Sequence, residues 1–137
     1  MRMTIEGVRL PQRKTVGSCG YDIHCPTDLV VYHQPTTIDL GILMEPGDIP
    51  DGYFAMLVPR SSTGSKDGLH LRNSVGIIDS SYTMDTIKAT LFVDSDTPKI
   101  FFKNDRILQM VIVPYGFVAS EIPPTEERKG GYGSTGA

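Results

Sequence analysis

Short apolar segments alternate with polar turns along most of the chain, and helical periodicity is nearly absent. The apolar segments are rich in β-branched and aromatic residues, which pack well on the pleated surface of a sheet. Turn-forming clusters such as "EPGDIPDG" and "DSDTPK" separate them. The spacing predicts an all-β sandwich or barrel. The segments are "LVVYH" (29–33), "TIDLGIL" (37–43), "YFAMLV" (53–58), "IKATLFV" (87–93), "KIFF" (99–102) and "ILQMVIVPYGFVA" (107–119).

The composition is that of an ordinary globular protein of one domain. The chain has 137 residues, of which 39% are hydrophobic and 21% are charged, and this length is enough for one buried core. No apolar run approaches the length of a membrane span, and the start "MRMTIEGVRL" has no signal-peptide block. We therefore expect a cytoplasmic location (nuclear, or in the host cell for a viral protein) and no membrane partner.

Charge and cysteine content narrow the classes of ligand. The net charge of −3 argues against nucleic acid as a direct partner, because such proteins usually carry a basic face. An anionic small molecule is compatible with this net charge if basic side chains cluster at its binding site or a metal ion neutralises its charge. Cys19 and Cys25 have no second pair, and His24 and His33 do not complete a zinc spacing. Reduced, partly buried thiols are the expectation.

Two polar stretches, residues 59–79 and 123–137, interrupt the strand pattern. We expect a β domain over 1–122 and a flexible Gly-rich arm over 123–137, since long polar loops on a β scaffold often carry function. The chain ends in "ERKGGYGSTGA", which combines free backbone N–H groups, hydroxyls, one aromatic ring and cations. This composition suits either a frayed terminus or a flap that grips phosphate.

The segment "PRSSTGSKDG" (59–68) directly follows an apolar segment. Pro59 cannot extend a hydrogen-bond ladder, so the strand should end there. Ser61, Ser62 and Thr63 suit the cap of a short helical turn, and with Arg60 beside it such a turn would bind an anion. A solvated Ser/Thr loop explains the same residues, and both alternatives stay open at this point.

Residues 71–91, "LRNSVGIIDSSYTMDTIKATL", have the pattern of strand, turn and strand, which predicts a β-hairpin. Asp79 lies near its start, just after two apolar residues. A single acid at such a position is more often a turn former than a catalyst, and Tyr82 is most simply a core or cross-strand aromatic. These residues alone therefore do not indicate a reaction.

Taken in order, five stretches of the chain resemble the five motifs of the trimeric deoxyuridine triphosphatases (dUTPases). Each stretch alone is weakly specific, and their shared order and spacing carry the resemblance, which extends from about residue 17 to the end of the chain. The five are "GSCGYDIHCP" (17–26), "PRSSTGSKDG" (59–68), "NSVGIIDSSY" (73–82), "NDRILQMVI" (104–112) and "GGYGSTG" (130–136).

The resemblance implies a jelly-roll β fold and a homotrimer with three active sites, each shared by all three subunits. In such a trimer one chain supplies the first, second and fourth motifs, a second supplies the uracil-binding hairpin, and a third supplies its C-terminal arm. The implied reaction is hydrolysis of dUTP to dUMP and pyrophosphate by attack of water on the α-phosphorus. This reaction limits uracil incorporation into DNA and supplies dUMP. Mg²⁺ is the implied cofactor.

Matched residue by residue, the motifs imply catalytic roles. Asp79 matches the catalytic aspartate, which would orient and activate the attacking water. Arg60, together with Mg²⁺, would neutralise the triphosphate. Gln109 stands in an otherwise apolar segment, where an unpaired amide would be costly, and would donate to the phosphates. Asp22 matches the first-motif aspartate and would lie near the metal through water, although a structural role in a turn explains it equally. Arg106 is interpreted as a structural charge paired with a nearby acid.

The remaining matches imply substrate contacts. Ser61 and Ser62 would donate hydrogen bonds to the α- and β-phosphates. The hairpin backbone would pair with the uracil edge and leave no room for a 5-methyl group, and Tyr82 would exclude a ribose 2′-hydroxyl. The implied base- and sugar-binding residues are Asn73, Gly76, Ile77, Ile78, Tyr82 and Lys88. In the arm, Tyr132 would stack on the base, and the terminal phosphates would be bound by Arg128, Gly133, Ser134 and Thr135.

Three departures from the family pattern affect these matches. After the hairpin tyrosine, "TMDT" (83–86) lacks the usual glycine, so the turn must be of another type, and the match of the returning strand depends on it. In the fifth motif the position of the usual arginine holds Glu127. Either Arg128 or Lys129 replaces that arginine at the γ-phosphate, and we favour Arg128. Asn104 stands where a glycine is common.

Other functions of the same fold are alternatives. A dCTP deaminase shares the fold and a similar Arg-Ser-Ser segment, but it needs a glutamate acid/base near the cytosine amine, and this chain has no glutamate between Glu45 and Glu121. A nucleotide-binding regulatory module without catalysis is a second alternative, since fold and chemistry are separable. A jelly-roll structural or capsid protein predicts neither the arm nor the anion-binding loop.

Overall fold

A computed structural model of the chain describes residues 1–130. Within them the fold is nearly all β, and each of the six apolar segments contains a strand, as predicted. The elements are β1 (Arg2–Met3), β2 (Gly20–His24), β3 (Leu29–Val31), β4 (Thr36–Leu43), β5 (Tyr53–Pro59), α1 (Ser61–Ser65), β6 (Leu69–Leu71), β7 (Gly76–Asp79), β8 (Thr86–Val93), β9 (Lys99–Phe101) and β10 (Arg106–Pro114).

The strands form two four-stranded sheets and a two-stranded ribbon. The first sheet has the order β1-β4-β8-β6, the second has the order β2-β10-β5-β7, and β3 pairs with β9. All of these pairings are antiparallel. Neighbouring strands are non-consecutive in sequence, as in a jelly-roll sandwich, and the expected fold class is confirmed.

The core lies between the two four-stranded sheets. Along β8 every second residue is buried, with Ile87, Ala89, Leu91 and Val93 in the core, which is the period-two pattern of a half-buried strand. Leu108 of β10 is fully buried in the second sheet. Burial of apolar surface holds the two sheets together and gives the loops at the strand ends a rigid base.

The prediction of a β-hairpin within residues 71–91 is wrong in its pairing. Both predicted strands exist, but β7 pairs with β5 in the second sheet, and β8 pairs with β4 and β6 in the first. The linking residues 80–85 contain no glycine, and none of them has a positive φ. They therefore do not form the tight turn that joins hairpin strands, and the chain crosses from one sheet to the other.

Asn104 lies in a turn at a position where the dUTPases, which the sequence resembles, commonly have glycine. Its φ is 70°, a left-handed conformation that asparagine tolerates better than most residues. The side chain also adds contacts, because Oδ1 accepts a hydrogen bond from the Arg9 backbone at 2.9 Å and Nδ2 donates to the Gly7 carbonyl at 2.8 Å. The substitution thus keeps the turn and ties the N-terminal segment to it.

Residues 115–130 follow the last strand without helix or strand. The expected boundary of an arm at residue 123 remains a prediction. Within the described part of the chain, no helix has both the length and the apolar character needed to cross a bilayer.

Candidate active site

The first, second and fourth motifs meet where β2 and β10 run side by side next to α1. Asp22 of β2 lies directly opposite Gln109 of β10, and α1 begins after β5, the other neighbour of β10. An open cavity of about 460 Å³, here termed the cationic cradle, lies at this place, and three of its lining side chains are basic. Its lining residues are Lys14, Thr15, Gly17, Ser18, Cys19, Gly20, Asp22, Arg60, Ser61, Arg106 and Gln109.

Asp22 is the centre of the charge network in the cationic cradle. Its Oδ1 accepts a hydrogen bond from Arg60 Nε at 3.0 Å, and its Oδ2 accepts one from Arg106 Nη1 at 3.2 Å. The Asp22 side chain is only 14% exposed, so these charge-assisted bonds fix the orientation of both guanidinium groups. Asp22 therefore has a structural role, and Arg106 pairs with an acid as expected. The approach of Asp22 to a metal through water stays a prediction.

Arg60 is held in place by further contacts at the start of α1. Its Nη1 donates to the Ser62 hydroxyl at 3.2 Å and to the Arg106 carbonyl at 3.3 Å. The two serines of this motif therefore differ. The Ser62 hydroxyl already binds Arg60, whereas the hydroxyl of the exposed Ser61 makes no hydrogen bond within residues 1–130, and Ser61 lines the cationic cradle.

Thr63, one of the three hydroxyl residues expected to cap a helical turn, positions this helix. Its hydroxyl is buried, donates to the Ile107 carbonyl of β10 at 2.7 Å and accepts a hydrogen bond from the Arg60 backbone N–H at 3.1 Å. These bonds pin α1 to β10 and so fix Arg60 beside Asp22. The expected capping role is thus confirmed for Thr63, which occupies the third helical position, where side chains commonly bind the N-cap backbone.

The carboxamide of Gln109 has a partner in its own chain. Its Nε2 donates to the Pro59 carbonyl at 3.3 Å. The amide therefore has a hydrogen-bond partner without a ligand, and the cost of an unpaired amide is no argument for a phosphate contact. Its Oε1 lies against Gly20, where a Cβ would be 2.2 Å away. The missing side chain at Gly20 leaves room for the carboxamide inside the cationic cradle.

The residues matched to base binding line a second cavity of about 80 Å³ between β7 and β8, here termed the strand-edge pocket. β7 is the last strand of its sheet, so one side of its backbone has no strand partner within residues 1–130 and can pair with a ligand. The lining includes all six matched residues, Asn73, Gly76, Ile77, Ile78, Tyr82 and Lys88, together with Leu57, Leu71, Ile87, Ala89 and Thr90.

The link between β7 and β8 positions Tyr82 and Lys88. The Tyr82 hydroxyl donates to the Thr86 carbonyl at 3.0 Å. Lys88 Nζ donates to Asp85 Oδ2 at 2.9 Å, and this hydrogen bond raises the pKa of Lys88. Asp85 also accepts a hydrogen bond from the Thr86 backbone at 2.8 Å. The turn without glycine is thus anchored by Asp85, and Lys88 remains in the strand-edge pocket.

Asp79 ends β7 with its side chain 55% exposed and contacts Arg128 of the same chain. Arg128 Nη2 donates to Asp79 Oδ2 at 2.5 Å, and Arg128 Nε donates to the Ser81 hydroxyl at 2.9 Å. The guanidinium carbon lies 5.8 Å from the centre of the Tyr82 ring. The role of Arg128 at the γ-phosphate stays a prediction, and its contacts within the chain are with the candidate catalytic aspartate and its neighbours.

Within one chain, Asp79 and the cationic cradle are far apart. Asp79 pairs with Phe54 near the start of β5, whereas Arg60 follows the other end of that strand. At about 3.3 Å per residue, the stretch from Phe54 to Arg60 spans about 20 Å. A single chain therefore does not bring the candidate catalytic aspartate to the cradle.

The matched arm residues Tyr132, Gly133, Ser134 and Thr135 lie outside the described residues. Among residues 1–130, no group of three or more His, Cys, Asp or Glu side chains has the arrangement of a metal site. Lys14 and Thr15 line the cationic cradle although the sequence reasoning did not select them. A cation and a hydroxyl just before the first motif were the available signal.

A β sandwich with a cationic, hydroxyl-lined cradle on one sheet and a narrow pocket at a free strand edge defines a phosphate-binding jelly-roll protein. The residues that build both cavities come from stretches that the dUTPase family model also covers, since that model matches residues 6–136. The chain belongs to the dUTPase family.

Individual relatives agree with this assignment. The chain is 39% identical to the deoxyuridine 5'-triphosphate nucleotidohydrolase of Hydrogenobaculum sp. (strain Y04AAS1), over 96% of this chain and 92% of that protein. It resembles the crystal structure of dUTPase from Streptococcus mutans with a TM-score of 0.68 and 27% identity, over 81% of this chain and 89% of the other. A mutant dUTPase from phage phi11 of S. aureus, whose structure reveals the coordination of a structural Mg(II) ion, has the same fold. Its TM-score is 0.72 at 24% identity, over 92% of this chain and 95% of that one.

Proposed function

We propose that this protein hydrolyses dUTP to dUMP and pyrophosphate, and so limits uracil incorporation into DNA and supplies dUMP. The observation that carries the proposal is that motifs distant in sequence form two cavities of complementary chemistry. The cationic cradle suits a triphosphate, and the strand-edge pocket offers backbone groups to the edge of a planar base. Membership of the dUTPase family supports the same substrate.

We further propose a homotrimer whose active sites are shared between subunits. The stretch of about 20 Å between Asp79 and the cationic cradle is too long for one chain, because reacting atoms must approach to about 3–3.5 Å. A neighbouring copy would therefore present its Asp79 and strand-edge pocket to the cradle. Exposed apolar side chains after β10 support association, since Phe117, Val118 and Ile122 are 72%, 71% and 94% exposed. The contribution of an arm from a third chain concerns residues 131–137 and stays a prediction.

In the proposed reaction Asp79 accepts a proton from the water that attacks the α-phosphorus. The new oxygen–phosphorus bond forms as the bond from the α-phosphorus to the bridging oxygen breaks, and pyrophosphate leaves with that electron pair. Arg60, Ser61 and Gln109 bind the phosphate oxygens and offset their charge. Arg60 suits this role because its contacts with Asp22 and Ser62 orient it before substrate arrives.

Mg²⁺ is the proposed cofactor. Both carboxylate oxygens of Asp22 accept hydrogen bonds from arginines, so Asp22 would contact such an ion only through water, and the triphosphate oxygens would supply most of its ligands. When bound, such an ion neutralises phosphate charge. The phage phi11 dUTPase structure contains a structural Mg(II) ion, which supports the same metal here.

The test is pyrophosphate release measured with dUTP, dTTP, dCTP and UTP in parallel, with Mg²⁺ and with a chelator. We expect turnover of dUTP alone and a strong loss with the chelator. Asp79→Asn should bind dUTP without hydrolysing it. Ammonia release from dCTP would indicate a deaminase instead, and dUTP binding without hydrolysis by the unmodified protein would indicate a regulatory module. Comparable turnover of UTP would overturn the role of Tyr82.

A further inference from the structure

We infer that Asp85 and Lys88 are positioning residues for Tyr82, and that through it they set the discrimination between deoxyribose and ribose. The inference rests on the proposed function, in which Tyr82 excludes a ribose 2′-hydroxyl. It concerns the link between β7 and β8, which contains no glycine and joins strands of different sheets. Because this link is no tight hairpin turn, other contacts must hold the aromatic ring in place.

Tyr82 connects the two ends of this link. Its backbone N–H donates to the carbonyl of Asp79, the last residue of β7, at 3.0 Å. Its hydroxyl donates to the carbonyl of Thr86, the first residue of β8, also at 3.0 Å. Since β7 and β8 do not pair with each other, strand pairing does not fix the distance between these ends. The position of the ring therefore depends on where the Thr86 carbonyl lies.

Thr86 is held by a cluster of polar side chains, here termed the turn clip, which consists of Asp39, Asp85, Thr86 and Lys88. Asp85 Oδ1 accepts a hydrogen bond from the Thr86 backbone N–H at 2.8 Å, and Asp39 Oδ2 of β4 accepts one from the Thr86 hydroxyl at 2.8 Å. Lys88 Nζ donates at 3.3 Å to the Thr86 carbonyl, the same atom that binds the Tyr82 hydroxyl. The turn clip thus places the acceptor that holds the ring.

The ammonium group of Lys88 is fully used within the turn clip. An ammonium has three donors, and Lys88 Nζ has three acceptors, which are Asp85 Oδ2 at 2.9 Å and the Thr86 carbonyl and hydroxyl oxygens at 3.3 Å. Lys88 lines the strand-edge pocket, but no donor of its side chain remains for a uracil oxygen. Loss of Asp85 removes the shortest of these bonds and the acceptor of the Thr86 N–H, so it should free the Tyr82 ring to move.

Binding of nucleotide analogues separates positioning from a general structural effect. The measured quantity is the dissociation constant of a non-hydrolysable UTP analogue divided by that of the dUTP analogue, obtained by calorimetry. We expect Asp85→Ala to lower this ratio about tenfold, because a mobile ring discriminates a single small group less well. Asp85→Asn keeps an acceptor for the Thr86 N–H and should lower it less. A merely structural loss would weaken both analogues equally, and an unchanged ratio in Asp85→Ala would overturn the inference.

A double variant tests whether the turn clip acts through Tyr82. Tyr82→Phe removes the hydroxyl and keeps the ring, so it should lower the same ratio. If Asp85 acts through this hydroxyl, adding Asp85→Ala to Tyr82→Phe should change the ratio little further. If the two effects multiply instead, Asp85 acts by another route and the inference is wrong.

Lys88→Met tests the lysine, and Lys99→Met is its matched control. Both lysines pair with an aspartate, Lys88 with Asp85 at 2.9 Å and Lys99 with Asp67 at 3.0 Å, but the second pair does not line the strand-edge pocket. Lys88→Met should lower the ratio as Asp85→Ala does and keep the preference for the dUTP analogue over a dCTP analogue, whereas Lys99→Met should change neither. A changed preference between the bases in Lys88→Met would show direct contact with the base and contradict the inference.

The failure of the proposed function has a different signature. If the unmodified protein binds the dUTP analogue but releases no pyrophosphate from dUTP, hydrolysis is wrong, and the binding ratios still decide the role of the turn clip. If the unmodified protein does not bind the dUTP analogue, both the proposed function and this inference are wrong.

Discussion

The Oε1 atom of Gln109 occupies the space that a side chain on Gly20 would fill, since a Cβ there would lie 2.2 Å from it. The two residues belong to the paired strands β2 and β10. The absence of a side chain on one strand thus determines where a polar side chain of the other strand can lie. A glycine in the first motif, Gly20, is therefore needed for the position of the amide donor in the fourth motif, Gln109.

Gly20→Ala should reduce dUTP hydrolysis without unfolding the protein. The clash involves the far end of a flexible side chain, so the Gln109 carboxamide should move away while the backbone stays in place. We expect kcat/KM to fall about as much as in Gln109→Ala, and the double variant to lose little more. Kinetics of the three variants, with thermal unfolding of each, check this.

Gly76→Ala is the contrasting variant. A Cβ at Gly76 would lie 2.8 Å from the Leu57 Cβ in the core, where neither partner can rotate away. We expect a loss of about 1–3 kcal/mol in the free energy of unfolding, which Gly20→Ala should not show. If Gly20→Ala keeps full dUTP hydrolysis while Gln109→Ala loses most of it, the proposed displacement of the Gln109 carboxamide is wrong.

Strands in which every second residue is buried could be predicted from the sequence. The strands with which they pair could not. β8 alternates buried and partly buried residues along its whole length, so its sequence alone indicates a strand. β6 has only three residues, "LHL", and β2 contains Gly20 and Asp22, so neither has an apolar run long enough to detect. The partner of β7 depends on the connection through residues 80–85, which forms no regular turn type that the sequence specifies.

The sequence indicates which residues lie near one another in the candidate site better than it indicates their contacts. All six residues matched to base binding line the strand-edge pocket. Five of them belong to the continuous stretch 73–82, and the sixth, Lys88, lies on β8. The contact between Asp79 and Arg128 joins positions 49 apart in sequence. It depends on the path of residues 115–130, which have no periodic pattern, and no local signal could have indicated it.

Asp22→Asn should destabilise the protein and weaken substrate binding. The substitution leaves the guanidinium groups of Arg60 and Arg106 side by side without their anion, and it weakens two hydrogen bonds to charged groups. We expect a loss of about 2 kcal/mol in the free energy of unfolding and a higher KM for dUTP, because Arg60 loses its orientation. Urea unfolding and steady-state kinetics measure the two effects.

Asp94→Asn is the matched control for that prediction. Asp94 pairs with His70 at 3.0 Å, but both side chains are about half exposed, and exposed ion pairs contribute between about 0 and 1 kcal/mol. Its loss of stability should therefore be much smaller, with an unchanged KM. If the two variants lose the same free energy of unfolding, the hydrogen bonds of Asp22 stabilise the protein no more than an exposed pair does.

The two thiols should react at very different rates. Both cysteines are free thiols; Cys25 is buried, whereas Cys19 is exposed, so the expectation of partial burial is wrong for Cys19. Burial raises the pKa of Cys25 to about 11, and only the thiolate is reactive. At pH 8 a thiol reagent such as Ellman's should modify Cys19 in the native protein and Cys25 only after denaturation. Cys19→Ser should remove the native reaction, and rapid native modification of that variant would contradict the burial of Cys25.

The raised pKa of Cys25 also predicts lower stability in alkali. An unfolded chain ionises this thiol near the ordinary value of 9.0, whereas the folded chain keeps the proton up to about pH 11. Between these values the unfolded state binds fewer protons, so the free energy of unfolding should fall as the pH rises. Urea unfolding at pH 8.5, 9.5 and 10.5 tests this, and Cys25→Ala should have a shallower dependence.

His24 should make the protein less stable in mild acid. Its ring is buried, Nδ1 has no hydrogen-bond partner within residues 1–130, and burial lowers the pKa of the imidazole. Below the ordinary value of 6.5 the unfolded chain takes up a proton that the folded chain excludes, so the free energy of unfolding should fall as the pH drops. The extra slope in the unmodified protein should approach about 1.4 kcal/mol per pH unit and be absent in His24→Gln, as measured by urea unfolding between pH 7.5 and 5.5 at fixed chain concentration. Thr63→Val changes another buried polar side chain that does not titrate, and it should lower stability equally at every pH. Parallel curves for the unmodified protein and His24→Gln would show that another group causes the acid sensitivity.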